Sequence, residues 1–232
     1  MATIEAFPIP GIREPFSCLT HLLAIPFFVA YGFFLVQRGR GNACRTLSLA
    51  ILVVSTVCLL AVSSAYHVFG AGAARNLMRQ LDVAAVFTLI AGTATPIHSI
   101  LFRGFNRWAP LLVVWMVAVA GIILRTVFPA SLPPGVGTLI FLVMGWGGLV
   151  ACVLLWRRFG YAFVQPLLWG GMAYTVGAGL LLLKWPRLIP GIIGAHELWH
   201  VAVLVGLALH WKFVFQFADG FAHVKTAPLW HR

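Results

Sequence analysis

Two histidines spaced four residues apart open a long apolar stretch near the end of the chain, in the segment HELWH from His196 to His200. On a helix, side chains four apart share one face, with about 5–6 Å between their Cβ atoms. That spacing suits two imidazoles that bind one tetrahedral metal ion. Two histidines that hydrogen-bond inside a helix bundle would give the same pattern, so a metal site needs a further donor.

The same segment matches the H-E-x-x-H pattern of zinc metalloproteases, in which the glutamate is a general base. Those enzymes place this helix in a soluble fold, or use a carboxylate as third ligand in intramembrane proteases. Glu197 also lies near the predicted helix start, where the helix dipole favours an acidic side chain. We therefore do not expect a protease.

A third histidine and a carboxylate supply the missing donors. His67 follows Ser63 by four residues in SSAYH, and Asp82 comes after a short glycine-containing connection. Three neutral imidazoles would leave a fourth tetrahedral position for water, as in a catalytic zinc site. Asp82 would accept a hydrogen bond from that water or orient an imidazole. Ser63 would hydrogen-bond either an anionic intermediate or its own helix.

The composition indicates that membrane helices carry these residues. Of 232 residues, 61% are hydrophobic and 9% are charged, and the mean hydropathy is +0.97. A soluble domain carries about a quarter charged residues. The net charge of +11 comes from basic residues scattered between apolar runs, whereas nucleic-acid binding would need a basic patch or stripe. The lipid bilayer is the expected partner, and nucleic acid is not.

Apolar runs bounded by charged residues, proline or glycine predict seven spans, each long enough to cross about 30 Å of hydrocarbon. Their short connections make neighbouring helices antiparallel and leave no room for a soluble domain, so residues 1–232 are expected to form a single seven-transmembrane domain. The predicted spans are Phe16–Gln37, Thr46–Phe69, Leu77–Phe102, Trp108–Val127, Val136–Trp156, Tyr161–Leu183 and Ile192–Phe215.

The order of the spans brings the polar residues to one membrane depth. His67 lies near the end of the second span and Asp82 near the start of the antiparallel third. The seventh span runs parallel to the third, so its early histidines lie at the same level. Ionisable side chains at membrane depth are costly and usually face an interior cavity. The predicted fold is therefore an all-α integral membrane protein, a seven-transmembrane helix bundle with an intramembrane metal site at His67, His196 and His200.

Four ordered motifs carry a family resemblance over nearly the whole chain. They are EPFSCLTH from Glu14 to His21, SSAYH from Ser63 to His67, LDVAAVFTLIAGTATP from Leu81 to Pro96, and HELWHVAVLVG from His196 to Gly206. In these motifs the chain resembles the haemolysin III branch of the progestin and adipoQ receptor family, whose wider superfamily includes alkaline ceramidases. The resemblance implies Zn²⁺ bound by His67, His196 and His200, with Asp82 beside the zinc-bound water and Ser63 nearby.

Three functions follow as hypotheses. The first is a zinc-dependent hydrolase that cleaves an amide or ester in a lipid-like substrate, with Asp82 and Ser63 as catalytic residues. The second is a non-catalytic sensor or receptor-like protein in which zinc is structural. The third is a pore-forming haemolysin, which is weakest because no span shows a sustained polar stripe. A substrate cavity between helices would favour the hydrolase.

The distribution of Lys and Arg between the two membrane sides gives a prediction of how the chain is oriented in the bilayer. Six basic residues fall on the side of the predicted metal site and ten on the other, which favours a cytoplasmic C-terminus. The resembling receptors have the metal on the cytoplasmic side, so the two indications disagree. The resemblance and the short loops favour a bacterial inner membrane.

Overall fold

The chain forms eight α-helices and no β-strand in the residues that this computed structural model describes, which are 9–128, 135–190 and 192–220. The helices are α1 (Pro15–Arg38), α2 (Ala43–Val68), α3 (Ala73–Leu101), α4 (Phe105–Val127), α5 (Val136–Trp146), α6 (Leu149–Phe159), α7 (Tyr161–Leu183) and α8 (Ala195–Phe215).

Seven segments of these described ranges are long and apolar enough to cross a membrane. Six are single helices, and the fifth crossing, Val136–Phe159, consists of α5 followed by α6. The two halves meet at Gly147 and Gly148. Here the Gly148 amide donates a hydrogen bond to the Gly145 carbonyl, three residues earlier, at 3.2 Å. Such a short-range bond and the low helix propensity of glycine interrupt the helix. The predicted fold class, an all-α integral membrane protein with seven spans, is confirmed; the interruption was not predicted.

Four helix starts, those at Ala43, Ala73, Phe105 and Ala195, differ from the prediction by three or four residues, and two of these differences have a local cause. The second helix begins at Ala43, before the predicted Thr46, because the Asn42 side chain caps it by accepting a hydrogen bond from the Arg45 amide at 3.0 Å. The last helix begins at Ala195, after the predicted Ile192. A tight turn precedes it, in which the Ile193 amide donates to the Ile189 carbonyl at 2.9 Å.

Glycines allow the closest helix contacts. A Cβ on Gly92 of α3 would collide with the Ser55 side chain of α2, and a Cβ on Gly206 of α8 would lie 2.6 Å from the Tyr174 ring of α7. Small residues let membrane helices approach closely. The outward faces of the spans are apolar, as Phe27 (75% exposed) and Val143 (73% exposed) illustrate. The bundle therefore presents its apolar surface to lipid.

The alternating helix directions give the bundle two ends. We call the end formed by the starts of α1, α3 and α8 and the end of α2 the histidine end, since His67, His196 and His200 lie there. The arginine end comprises the ends of α1, α3 and α8 and the starts of α2 and α4. Its loops and helix termini carry Arg38, Arg40, Arg45, Arg103 and Arg107.

Candidate metal centre

Three histidines from two helices meet at the histidine end. His67 in the last turn of α2 is fully buried, His200 of α8 is 3% exposed, and His196 is half-buried. The Nε2 atoms of His67 and His196 are 3.5 Å apart. One nitrogen from each of the three rings lies within 4.8 Å of the other two. The structure thus brings together all three residues that the sequence predicts as metal ligands.

The geometry of this histidine triad fits a divalent metal ion. Zinc–nitrogen bonds of about 2.0–2.1 Å place the ligand nitrogens of a tetrahedral site roughly 3.3 Å apart, and small ring rotations would reach that spacing here. In addition, Nδ1 of His200 is buried and has no hydrogen-bond partner among the described residues. Burial of an unpaired polar atom is costly, and coordination of a metal ion by this nitrogen would remove the cost.

Glu14, directly before α1, orients His67. Its carboxylate accepts a hydrogen bond from Nδ1 of His67, which leaves Nε2 facing the other histidines. Arg75 donates to the second carboxylate oxygen at 2.7 Å. Burial raises the pKa of the Glu14 carboxyl, but the hydrogen bond to His67 and the nearby Arg75 guanidinium outweigh burial and lower the pKa to about 2. A carboxylate in this position fixes the tautomer of a metal-binding imidazole.

Backbone hydrogen bonds hold Glu14 in place. Its amide donates to the His67 carbonyl at 3.1 Å, and the Arg13 amide donates to the Val68 carbonyl at 3.3 Å. The Arg75 guanidinium donates to the Phe69 carbonyl at 2.8 Å. The last carbonyls of a helix lack partners within the helix, so these donors satisfy the end of α2. The same bonds fix the position from which Glu14 contacts the metal centre.

Replacing Glu14 with alanine is expected to weaken zinc affinity by about 10- to 100-fold, the usual effect of losing a carboxylate that supports a histidine ligand. Glu14→Gln should lose less, because its amide oxygen still accepts the Nδ1 hydrogen of His67. Titration of the purified protein with zinc against a competing chelator measures the change. Glu197→Gln is the control, since Glu197 does not contact the triad by a hydrogen bond in the described structure. Equal losses in Glu14→Ala and Glu197→Gln would contradict the orienting role.

Asp82 and Ser63 lie beside the triad, on facing helices. Ser63 of α2 is 2% exposed, and it lies near the Asp82 carboxylate of α3. Asp82 also lies near His67. Both side chains line the same cavity as His196 and His200. Asp82 is not among the three grouped ligands.

The first helix also contributes to this centre. His21 of α1 packs on His200, with ring centroids 4.1 Å apart. Its two ring nitrogens are buried and lack a hydrogen-bond partner within the ranges that the structure describes. Ser17 donates to Oε1 of Glu197 at 3.2 Å, while Oε2 of Glu197 accepts from the Gly194 amide at 2.9 Å. Glu197 therefore caps α8 and ties it to α1, which differs from the free general base of an H-E-x-x-H protease.

A cavity of about 850 Å³ extends from the triad through the membrane-spanning part of the bundle. Its volume lies within the range of small-molecule sites, about 300–1,000 Å³. His196, His200, Asp82 and Ser63 line one end, and the walls are mainly apolar side chains of α3, α4, α5 and α7. The metal centre thus lies at the polar end of an apolar chamber.

The cavity opens sideways between α4 and α5. These two helices contact each other little, because α4 packs on α3 while α5 packs on α7 and α3. Lining residues from both helices are also solvent-accessible, namely Val113 and Val117 of α4 and Leu139 and Val143 of α5. All four lie within membrane-crossing segments.

Sequence reasoning did not assign roles to Glu14, His21 and Arg75. One signal was available for Glu14, because the chain contains only five acidic residues. Glu14, Asp82 and Glu197 all lie at the histidine end. Such convergence in an acid-poor chain indicates a shared site.

Two further histidines of the described ranges, His98 and His210, lie outside the triad. Nδ1 of His98 lies 3.1 Å from the Asn106 carbonyl, and Nε2 of His210 lies 3.3 Å from the Leu167 carbonyl. Both side chains thus have a backbone hydrogen-bond partner. His223 and His231 lie outside the described residues.

Comparison with known proteins agrees with this fold. A family model described as haemolysin-III related matches residues 11–211. The chain is 31% identical over 202 residues to Hemolysin-3 of Bacillus cereus, covering 85% of this chain and 88% of that protein. It is 30% identical over 200 residues to the Hemolysin-3 homolog of Bacillus subtilis (strain 168), covering 84% and 90%. It is 25% identical over 192 residues to the heptahelical transmembrane protein ADIPOR2 of Oryza sativa subsp. japonica, covering 75% and 82%. The chain therefore belongs to the haemolysin-III related family, in the haemolysin III-like branch of the progestin and adipoQ receptor family.

Proposed function

We propose that this protein is a zinc-dependent membrane hydrolase that cleaves an amide or ester bond in a lipid-like substrate. The observation that carries the proposal is the position of the histidine triad, with Asp82 and Ser63, at the polar end of an apolar cavity that opens within the membrane. A purely structural metal site would need neither a chamber beside the metal nor a carboxylate facing that chamber.

Each residue of the centre has a proposed role. His67, His196 and His200 hold the ion, and Glu14 keeps the His67 ring in the orientation that presents Nε2. A bound zinc ion supplies Lewis-acid polarisation of a carbonyl and activates water near neutral pH. Asp82 accepts the proton released from the attacking water and delivers it to the leaving group. The Ser63 hydroxyl donates a hydrogen bond to the oxyanion that develops on the substrate carbonyl.

The cavity supports a substrate with one polar end and at least one long apolar chain. The apolar chain would occupy the part of the chamber lined by Leu89, Val114 and Leu168, while the scissile bond lies near Asp82. The same walls argue against a pore, because a conducting channel requires polar or charged lining groups.

We place the protein in a bacterial inner membrane. Its crossings are helices, whereas bacterial outer-membrane proteins span the bilayer as closed β-barrels. The two Hemolysin-3 relatives come from Bacillus species.

The test measures zinc content and fluorescent ceramide turnover on the same detergent-purified samples. Wild type should contain close to one zinc per chain and hydrolyse the substrate. His67→Ala and His196→Ala should lose both properties. His210→Ala is the matched control for zinc content, because His210 lies on the same helix as His196 but bonds the Leu167 carbonyl.

The outcomes separate the candidate functions. Zinc and turnover lost together in the triad variants would support the hydrolase. Full zinc without turnover of ceramides or of simple lipid esters would favour a sensor with structural zinc. Wild-type protein without zinc, after purification free of chelators, would contradict the metal site itself.

A further inference from the structure

A second cavity, of about 510 Å³, lies at the arginine end, on the membrane face opposite the metal centre. Three of the described residues that line it are arginines, Arg45, Arg103 and Arg107, and none of those described is acidic. Ile100 and Phe102 form an apolar part of its wall. We call it the arginine cavity.

Hydrogen bonds hold two of these arginines in fixed positions. Arg45 donates to the backbone carbonyls of Gly39 at 3.1 Å and Asp219 at 2.8 Å, and Arg107 donates to the Ser99 carbonyl. All three acceptors are backbone carbonyls rather than carboxylates. Nε of Arg107 is buried and lacks a hydrogen-bond partner in the part of the chain that the structure describes. A buried donor of this kind requires an acceptor, which a ligand in the cavity would supply.

The charge around the arginine cavity is poorly balanced. Of the described acidic residues, only Asp219 lies at this end, and its carboxylate is paired with Arg38 at 2.7 Å. The helix α4 begins next to the cavity at Phe105, and Gly104 provides no side-chain cap for its first amides. The start of a helix adds partial positive charge to the arginines. An anion is therefore the ligand that this cavity favours.

We propose that the arginine cavity binds a phosphate group. The planar guanidinium forms paired hydrogen bonds with phosphate oxygens, which makes arginine the preferred residue for this ligand. The cavity lies where α2, α3 and α4 meet the membrane surface, at the level of lipid headgroups. Its apolar wall at Ile100 and Phe102 suits the glycerol and upper acyl region of an anionic phospholipid. Free inorganic phosphate has the same recognition chemistry and is the other possible source.

Native mass spectrometry of delipidated protein in detergent tests the proposal. The probes are dioleoyl-phosphatidylglycerol, dioleoylglycerol with the same chains but no phosphate, and sodium phosphate. Wild type should bind the phosphatidylglycerol, and Arg107→Gln should bind it about tenfold more weakly, the usual effect of losing a hydrogen bond to a charged group. Binding of dioleoylglycerol should be weak and the same in both proteins.

Two further variants make the test specific. Arg103→Gln removes an exposed lining side chain and should weaken phosphatidylglycerol binding even if Arg107→Gln unfolds, which circular dichroism would reveal. Arg40→Gln removes the same charge from the same end at a side chain that does not line the cavity, and it should bind like wild type.

If sodium phosphate binds wild type but not Arg107→Gln while the lipid does not bind, the phosphate comes from solution. Equal binding in wild type, Arg103→Gln and Arg107→Gln, or equal weakening by Arg40→Gln, would overturn the proposal.

Discussion

Asp82→Asn is expected to lower lipid amide or ester turnover by about 10²- to 10⁴-fold, the range for loss of a general acid–base group. Zinc content should stay at the wild-type level, because Asp82 is not one of the three grouped ligands. Asparagine has nearly the same size as aspartate but cannot accept the proton from the attacking water. Turnover of fluorescent ceramide and zinc content, measured on the same preparation, give both values.

Ser64→Ala is the control for this experiment. Ser64 is buried next to Ser63, but its hydroxyl donates to the Leu60 carbonyl of its own helix at 2.7 Å. Ser64→Ala should therefore keep wild-type turnover. Loss of zinc together with turnover in Asp82→Asn would identify Asp82 as a ligand, and unchanged turnover would rule out its role as proton acceptor.

The membrane depth of the polar residues was predictable because it depends only on the position of each residue along its span and on the direction of that span. Seven apolar runs with short connections fix the direction of every helix, and direction fixes which residues share a level. His67, Asp82, His196 and His200 follow from that reasoning, and the structure places them together. The i, i+4 spacing added that His196 and His200 share one helix face.

Contacts of the first helix were not predictable in the same way. The depth argument places Glu14 and His21 near the level of the triad. It does not predict that their side chains face His67 and His200, as they do in the structure. That side depends on how α1 packs against α2 and α8, and on the backbone bonds between Glu14 and the end of α2. The sideways opening between α4 and α5 likewise depends on packing rather than on sequence pattern.

Removal of the metal is expected to lower the thermal stability of the wild-type protein. A ligand present at about 100 times its dissociation constant stabilises the folded state by about 2.7 kcal/mol. For a chain of this size, each kcal/mol shifts the unfolding temperature by roughly 2–4 °C, so a chelator should lower it by about 5–10 °C. The reason is that the triad joins α2 to α8, which hold ligands far apart in the sequence.

The decisive comparison is the response of each variant to the chelator. His67→Ala and His200→Ala should already unfold at a lower temperature and should not respond further, because they have no metal to lose. His210→Ala changes the same residue type on α8 away from the triad, so it should respond like wild type even if its starting temperature is lower. A chelator effect of equal size in wild type and His67→Ala would mean that the stabilising ion binds elsewhere. Because this readout needs no substrate, it tests the metal centre independently of the proposed hydrolase activity.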